Sequence, residues 1–160
     1  MYKGDGLRIR KANQEDTRAI VELWKELMDF HKERNRHFTR SADGHKRFAE
    51  FISGRMVHEK SCVLVAEQRD EIVGYCLATI SKYPPVYEHQ EYGAIFDLAL
   101  TENYRRKGIG QALVEAALQW FSEQEIHRVE VRVATSNEIS TAFWKKIGFV
   151  PYLEVIYKEI

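Results

Sequence analysis

A chain of 160 residues, 44% hydrophobic and 30% charged, has the make-up of one globular domain, here 1–160. Its 24 Lys and Arg balance 24 Asp and Glu, a formal net charge of zero that argues against a dedicated nucleic-acid binder. No apolar run approaches the roughly 20 residues of a membrane span. The opening MYKGDGLRIRK lacks the apolar core of a secretion signal, so a cytoplasmic protein is expected. Cys62 and Cys76, the two cysteines, lie in apolar runs. They read as buried free thiols, not as a disulfide or a metal site.

Leu7 to Ala12 alternates apolar and charged residues and predicts a first strand. Asn13 is a helix cap with Asp16 in the capping-box position. Ile20, Leu23, Trp24, Leu27 and Met28 then recur at helical spacing. His31 to Arg40 is a basic connection, and a second helix is expected from about Asp43 to His58 around Phe48, Ile52 and Met56. Cys62 to Ala66 and Ile72 to Ile80 predict a hairpin, with Gly74 marking a bulge or a close approach. Pro84-Pro85 excludes regular pairing in Ser81 to Gly93. That segment reads either as an exposed loop or as a source of substrate contacts, with Tyr87 and Glu88 the candidates.

Ala94 to Val114, AIFDLALTENYRRKGIGQALV, is the most informative stretch. An apolar strand runs through a polar turn into Arg105-Arg106-Lys107-Gly108-Ile109-Gly110 and then opens a helix. The unpaired N–H groups of a helix's first turn, with the helix dipole, attract anions. The adjoining cations favour phosphate. A strand–glycine–helix turn without any ligand is the alternative. Gln111 after Gly110 excludes a P-loop, and Leu113 stands where a dinucleotide fingerprint needs its third glycine. The helix itself carries a polar stripe at Gln111, Glu115 and Gln119.

His127 to Val133 alternates as a strand. Asn137 opens the last helix and Gly148 closes it. In that helix Ile139, Ala142, Phe143 and Ile147 form a stripe suited to the core, and Asn137, Ser140, Thr141 and Trp144 form another. Phe149 to Ile160 is expected to be a final strand. The order β-α-α-β-β-β-α-β-α-β predicts an α/β (α+β) fold, a mixed and largely antiparallel central sheet flanked by helices on both faces.

Two stretches resemble the GNAT superfamily of acyl-CoA-dependent N-acyltransferases. Arg105, Gly108 and Gly110 fit its Gln/Arg-x-x-Gly-x-Gly/Ala motif, and Asp97-Leu98-Ala99-Leu100 fits the strand before it. NEISTAFWKKIGF, Asn137 to Phe149, is similar to its Asn…Ala…Phe-Tyr-x-x-Leu-Gly-Phe pattern. The resemblance runs from about Leu7 to the C-terminus. It implies an N-acetyltransferase in which a primary amine, on a small molecule or a protein, attacks the thioester of acetyl-CoA directly. The pyrophosphate would lie on Arg105, Arg106, Lys107, Gly108, Ile109, Gly110 and Gln111. The pantetheine arm would pair with the backbone of Leu98, Ala99 and Leu100. Asn137 and Trp144 would be further contacts, and the first two helices would wall the acceptor pocket. Many members of the superfamily dimerise, so a homodimer is a partner the resemblance allows; membrane and nucleic acid are not expected partners.

The sequence departs from the pattern at Trp144, where the family has a Tyr that often protonates the leaving thiolate. An indole N–H is no useful proton source. A thiol of pKa about 8.5 can leave with only a hydrogen bond or water, or Tyr152 or Tyr87 supplies the proton. The general base is equally open. Ala94, Phe96 and Arg132 stand where the family often has a carboxylate, and by strand parity Asp97 points to the opposite face. Glu88, Glu91 and Glu130 remain, so no catalytic residue is assigned. A non-catalytic acyl-CoA-binding sensor of the same fold is the alternative.

Overall fold

Strand β1 (Leu7–Lys11) feeds a 3-10 turn, Gln14–Asp16, and helix α1 (Thr17–Arg34). The computed structural model describes residues 6–160; residues 1–5, part of the N-terminal stretch read above for a secretion signal, lie outside the described residues. The capping box forms as expected. The Asn13 side chain accepts from the Glu15 N–H at 2.9 Å, and the Asp16 carboxylate accepts from the Asn13 N–H at 2.8 Å. Arg10 ties this corner to the sheet. Its Nη1 and Nη2 donate to Asp16 at 2.7 and 2.9 Å, and its Nε donates to Glu67 at 2.6 Å.

Asp16 is only 7% exposed, so its charge depends on that partner. The Arg10 bond holds the Asp16 carboxyl below the usual range, against the opposing effect of burial. Asp16→Ala is expected to cost about 3 kcal/mol, the scale of a broken buried pair, and to lower the thermal midpoint by roughly 6–12 °C. A depressed folded-state pKa stabilises above the unfolded value of about 3.9, and that gain is lost as pH falls through the folded value. The wild type should therefore lose its advantage over Asp16→Ala below about pH 4. An equal midpoint difference at pH 3 and pH 7 in a calorimetric titration would count against this role.

Helix α2 (Gly44–Val57) is followed by β2 (Ser61–Gln68), β3 (Glu71–Lys82), β4 (Glu91–Leu100), α3 (Ile109–Glu123), β5 (Val129–Val131) and α4 (Glu138–Lys146). The strands lie in the order β1-β2-β3-β4-β5; every neighbour is antiparallel except β4 and β5. Helices α1 and α2 cover one face, packing Ile20, Phe48 and Ile52 on Val65, Tyr75 and Leu77. Helices α3 and α4 cover the other, packing Leu113, Phe121 and Trp144 on Leu64, Cys76 and Ile95. The mixed, largely antiparallel sheet with helices on both faces is the expected one, and both cysteines are buried and free.

Four local expectations are corrected. Pairing in the β3–β4 hairpin continues through Ser81↔Tyr92 and Lys82↔Glu91, because the prolines sit beyond it in the connection. The strand expected over His127 to Val133 is paired only over Val129–Val131, where β5 still borders β4. Phe149 to Ile160 forms no strand. Phe149 packs 4.9 Å from the Trp144 ring, but Val150, Leu153, Val155, Ile156 and Tyr157 are exposed. Alternation is a local signal, whereas a strand needs backbone bonds to a partner, and among the described residues this segment pairs with no strand. In α4 the expected core residues Ile139 and Ala142 face outward, and Trp144 is buried instead. The stripe that meets the sheet is set by how α4 docks beside α3, which helical spacing alone leaves open.

Candidate active site

The centre of β4 holds two departures from a regular sheet. The first is a bulge. Ala78 pairs with Ile95 and Leu77 with Asp97, so Phe96 is an extra residue on β4. The second is a splay. The parallel pairing with β5 ends at Ile95↔Val131. The backbone of Phe96 to Leu100 is therefore left without a strand neighbour on that side. At the end of this edge the Thr101 hydroxyl is buried with no hydrogen-bond partner among the described residues.

The free edge leads into the basic loop. Arg105 is extended, while Arg106 and Gly108 are left-handed at φ +59° and +80°. Such turns aim successive N–H groups into one concavity, an anion-binding arrangement. Arg105 anchors the loop, its Nε donating to the Leu100 carbonyl at 3.2 Å, with its guanidinium 5.9 Å from the Phe30 ring of α1. The N–H of Ala112 donates to the Gly108 carbonyl at 3.0 Å. The amides of Ile109, Gly110 and Gln111, ahead of it, form the helix's first turn. Gly110 has a packing reason as well: a Cβ there would lie 3.3 Å from Leu100 Cδ1 and 3.6 Å from the Phe143 ring.

The side chains expected at a cofactor divide by role. Those of Leu98, Leu100 and Ile109 pack into the α3-side core and that of Ala99 into the opposite one, which leaves their backbone for a ligand. Arg106, Lys107 and Gln111 are exposed; Gln111 donates to Glu115 at 2.8 Å. Asn137 is 5% exposed and caps α4, accepting from the Ser140 N–H at 3.1 Å. Its side-chain NH2 is the group that can meet a ligand. Trp144 packs in the core, with Nε1 donating to Ser140 Oγ at 3.1 Å. The indole N–H is thus used within α4. Tyr87 and Glu88 sit, exposed, in the connection beyond Glu91, which itself lies five residues down β4 from Phe96, ~17 Å at strand spacing.

The bulge overturns the parity reading of Asp97. Ala94 pairs with Thr79 and Asp97 with Leu77. Thr79 and Leu77 are two apart on β3 and share a face, so Ala94 and Asp97 do as well. That face is the one α1 and α2 pack against. No sequence signal marks the extra residue, which is why the carboxylate was missed. Asp97 accepts a hydrogen bond from the buried Tyr75 hydroxyl at 3.1 Å. Burial raises the Asp97 carboxyl above its usual value, and the Tyr75 bond offsets only part of this.

The other carboxylates are differently placed. Glu91 is bound by Lys60 Nζ at 2.5 Å on the surface, which lowers its pKa. Glu130 accepts from the Tyr83 hydroxyl and from Arg128 Nε at 3.0 Å. Burial would raise Glu130, but these bonds and one from Tyr152 hold it below its ordinary value. Burial and the bond to Glu130 push Tyr83 up to about 12. Among the described residues no group of His, Cys, Asp or Glu is placed to hold a metal ion, and no helix is long and apolar enough to cross a membrane.

Known proteins are similar to this chain. Residues 19–149 match the Acetyltransferase (GNAT) family. An "uncharacterized N-acetyltransferase" of Archaeoglobus fulgidus is 28% identical over 142 residues, 86% of this chain and 89% of that protein. The crystal structure of a tetramutant of the BH1408 protein from Bacillus halodurans superposes with a TM-score of 0.83 at 23% identity, covering 96% of this chain and 99% of the other. A predicted acetyltransferase from Clostridium acetobutylicum, crystallised with acetyl-CoA, has a TM-score of 0.77 at 18% identity, with 96% of each chain covered. With its interrupted central strand running into a glycine loop, and with the match spanning most of its length, the chain belongs to the GNAT acetyltransferase family and is an acyltransferase.

Proposed function

We propose that the protein transfers the acetyl group of acetyl-CoA to a primary amine, with Asp97 as general base. The observation that carries this reading is the unpaired edge of Phe96 to Leu100 leading into the amide concavity of Arg106 to Gln111. Leu98, Ala99 and Leu100 would offer their backbone groups to the amides of pantetheine, in the manner of an added strand. Gly108, Ile109, Gly110 and Gln111 would offer N–H groups to the pyrophosphate, with Arg106 and Lys107 supplying charge. Asn137 would bind from the opposite wall.

When bound, acetyl-CoA supplies an acetyl thioester whose carbonyl carbon accepts the amine and whose sulfur leaves. Asp97 takes one proton from the ammonium, which otherwise has a pKa near 10.4, so that the nitrogen lone pair is free. The C–N bond forms, the C–S bond breaks, and the proton lost from nitrogen compensates the thiolate, directly or through water. A backbone N–H at the free edge near Leu98 stabilises the developing oxyanion; comparable donors are worth about 2.7–4 kcal/mol. Tyr75 keeps the Asp97 carboxylate in one orientation. A dedicated acid is not required for a leaving thiol of pKa about 8.5, which fits an α4 whose Trp144 offers no proton.

Thermal melts with CoA, acetyl-CoA and ATP test the ligand, and CoA release with an amine panel tests the transfer. Acetyl-CoA at 100 times its dissociation constant adds about 2.7 kcal/mol, raising the midpoint by roughly 5–11 °C. Little change is expected with ATP. Arg106→Ala with Lys107→Ala should weaken acetyl-CoA about tenfold, more in low than in high salt. A melt unmoved by both CoA species would overturn the reading. Binding without CoA release for any amine would favour the sensor alternative.

A further inference from the structure

Beside Asp97 lies a sheet surface that the transfer reading does not use. On β4, Gly93 touches the ring of Phe121 in α3 and Ile95 belongs to the α3-side core. Tyr92 and Ala94 alternate with them and so face the α1–α2 side, and Phe96, the inserted residue, directly precedes Asp97, which faces that side too. The helices cover only part of that side. Leu77 and Ala99 beneath them are 1% and 6% exposed, whereas Phe96 is 62% exposed. Asp97 therefore marks the edge of the covered region. An aromatic side chain open to solvent in the middle of a central strand is unusual, since such residues normally supply buried area.

Tyr92, Ala94 and Phe96 follow at two-residue steps, which puts the two rings ~13 Å apart with a methyl group between them. The floor is thus a shallow seat with aromatic ends and a small centre. Tyr83 stacks on the outer end, 4.2 Å from Tyr92. Charge at this seat is one-sided. Glu130, paired with Ala94 across β5, is already bound by Arg128 and the Tyr83 hydroxyl. Among the described residues Asp97 has no cationic partner, and the bond it accepts is from Tyr75. One ammonium can be neutralised at the inner end, and among the described residues of β4 and β5 that form the floor a second finds no further unpaired carboxylate.

We propose that the acceptor is a primary amine borne on an aryl or branched-alkyl group, its apolar body seated on Ala94 between Phe96 and Tyr92 and its nitrogen at Asp97. Phe96 is then the residue that sets acceptor preference. The inference rests on the transfer reading and goes beyond it by naming the acceptor class. A free arylalkylamine and a peptide beginning with a large apolar residue share this chemistry.

The test is steady-state CoA release with 2-phenylethylamine, isoamylamine, a Phe-initiated tetrapeptide, spermidine and kanamycin. At least one of the three apolar acceptors should exceed spermidine and kanamycin by tenfold or more in kcat/KM; whether the free amines or the peptide lead identifies the source. Phe96→Ala should raise KM for the preferred apolar acceptor about tenfold and leave the acetyl-CoA dissociation constant unchanged. Ala94→Leu, which fills the seat without touching charge, should do the same. Preference for spermidine or kanamycin, or a Phe96→Ala effect equal across all five amines, overturns the acceptor class while leaving transfer intact. Absence of CoA release with every amine, despite a melt raised by acetyl-CoA, overturns the transfer reading and this inference with it.

Discussion

Asp97→Asn is expected to lower kcat/KM by about 10²–10⁴, the usual contribution of a positioned general base. The substitution keeps the shape, and its amide oxygen still accepts from the Tyr75 hydroxyl, which donates to Asp97 at 3.1 Å. Acetyl-CoA affinity should be unchanged, because the proposed ligand contacts are backbone groups of Leu98 to Leu100 and the loop. The pH profile separates a base from a merely structural carboxylate. Only the ionised carboxylate takes a proton, so wild-type kcat/KM should fall as pH drops through the Asp97 pKa. Burial places that pKa above the ordinary Asp value, moving the acid limb toward neutrality. Asp97→Asn should abolish the limb. A variant with wild-type rate, or with a slow rate and the same acid limb, would remove Asp97 from the mechanism.

Gly93→Ala is expected to damage the fold. A Cβ at Gly93 would lie 2.7 Å from one carbon of the Phe121 ring and 2.8 Å from two others. Phe121 is fully buried, so the ring has nowhere to retreat. Overpacking of this kind costs about 1–3 kcal/mol, and at the upper end the midpoint falls by roughly 6–12 °C. Gly54 in α2 is the control. Nothing lies within 4 Å of a Cβ there, and Gly→Ala in a helix interior gains about 0.8–1 kcal/mol. Thermal melts of the two variants should move in opposite directions; a destabilised Gly54→Ala with an unaltered Gly93→Ala would contradict the packing account. The same closeness serves function. Gly93 beneath Phe121 and Gly110 beside Leu100 let both ends of α3 lie against β4, which brings the helix's first turn to the free edge.

Much of this arrangement was legible because it depends on local chemistry. The cap at Asn13, the apolar face of α1, the left-handed positions at Gly108 and Gly148 and the basic loop follow from side-chain type and spacing within a few residues. The basic glycine loop proposed for the cofactor was legible for the same reason, since its N–H groups and cations are consecutive in the chain. The tail was misread: Val155 and Tyr157 alternate, yet the segment forms no strand, because alternation records a residue preference and not a partner strand. The acceptor side was the least legible. Strand parity assigned Asp97 to the wrong face, and one inserted residue at Phe96 reversed it. That insertion has no compositional mark, because whether β4 bulges depends on how β3 registers against it, seventeen or more residues away.

By itself the sequence determined the order of elements through the last helix, the two-faced sheet, the GNAT likeness and the basic glycine loop, all of which rest on side-chain type, periodicity, capping and turn chemistry. Only the tertiary structure decided the bulge, the splay between β4 and β5, the burial of Trp144 and the side on which Asp97 emerges. Those features arise where strands distant in the chain set one another's register, and no local preference of the residues involved records that choice.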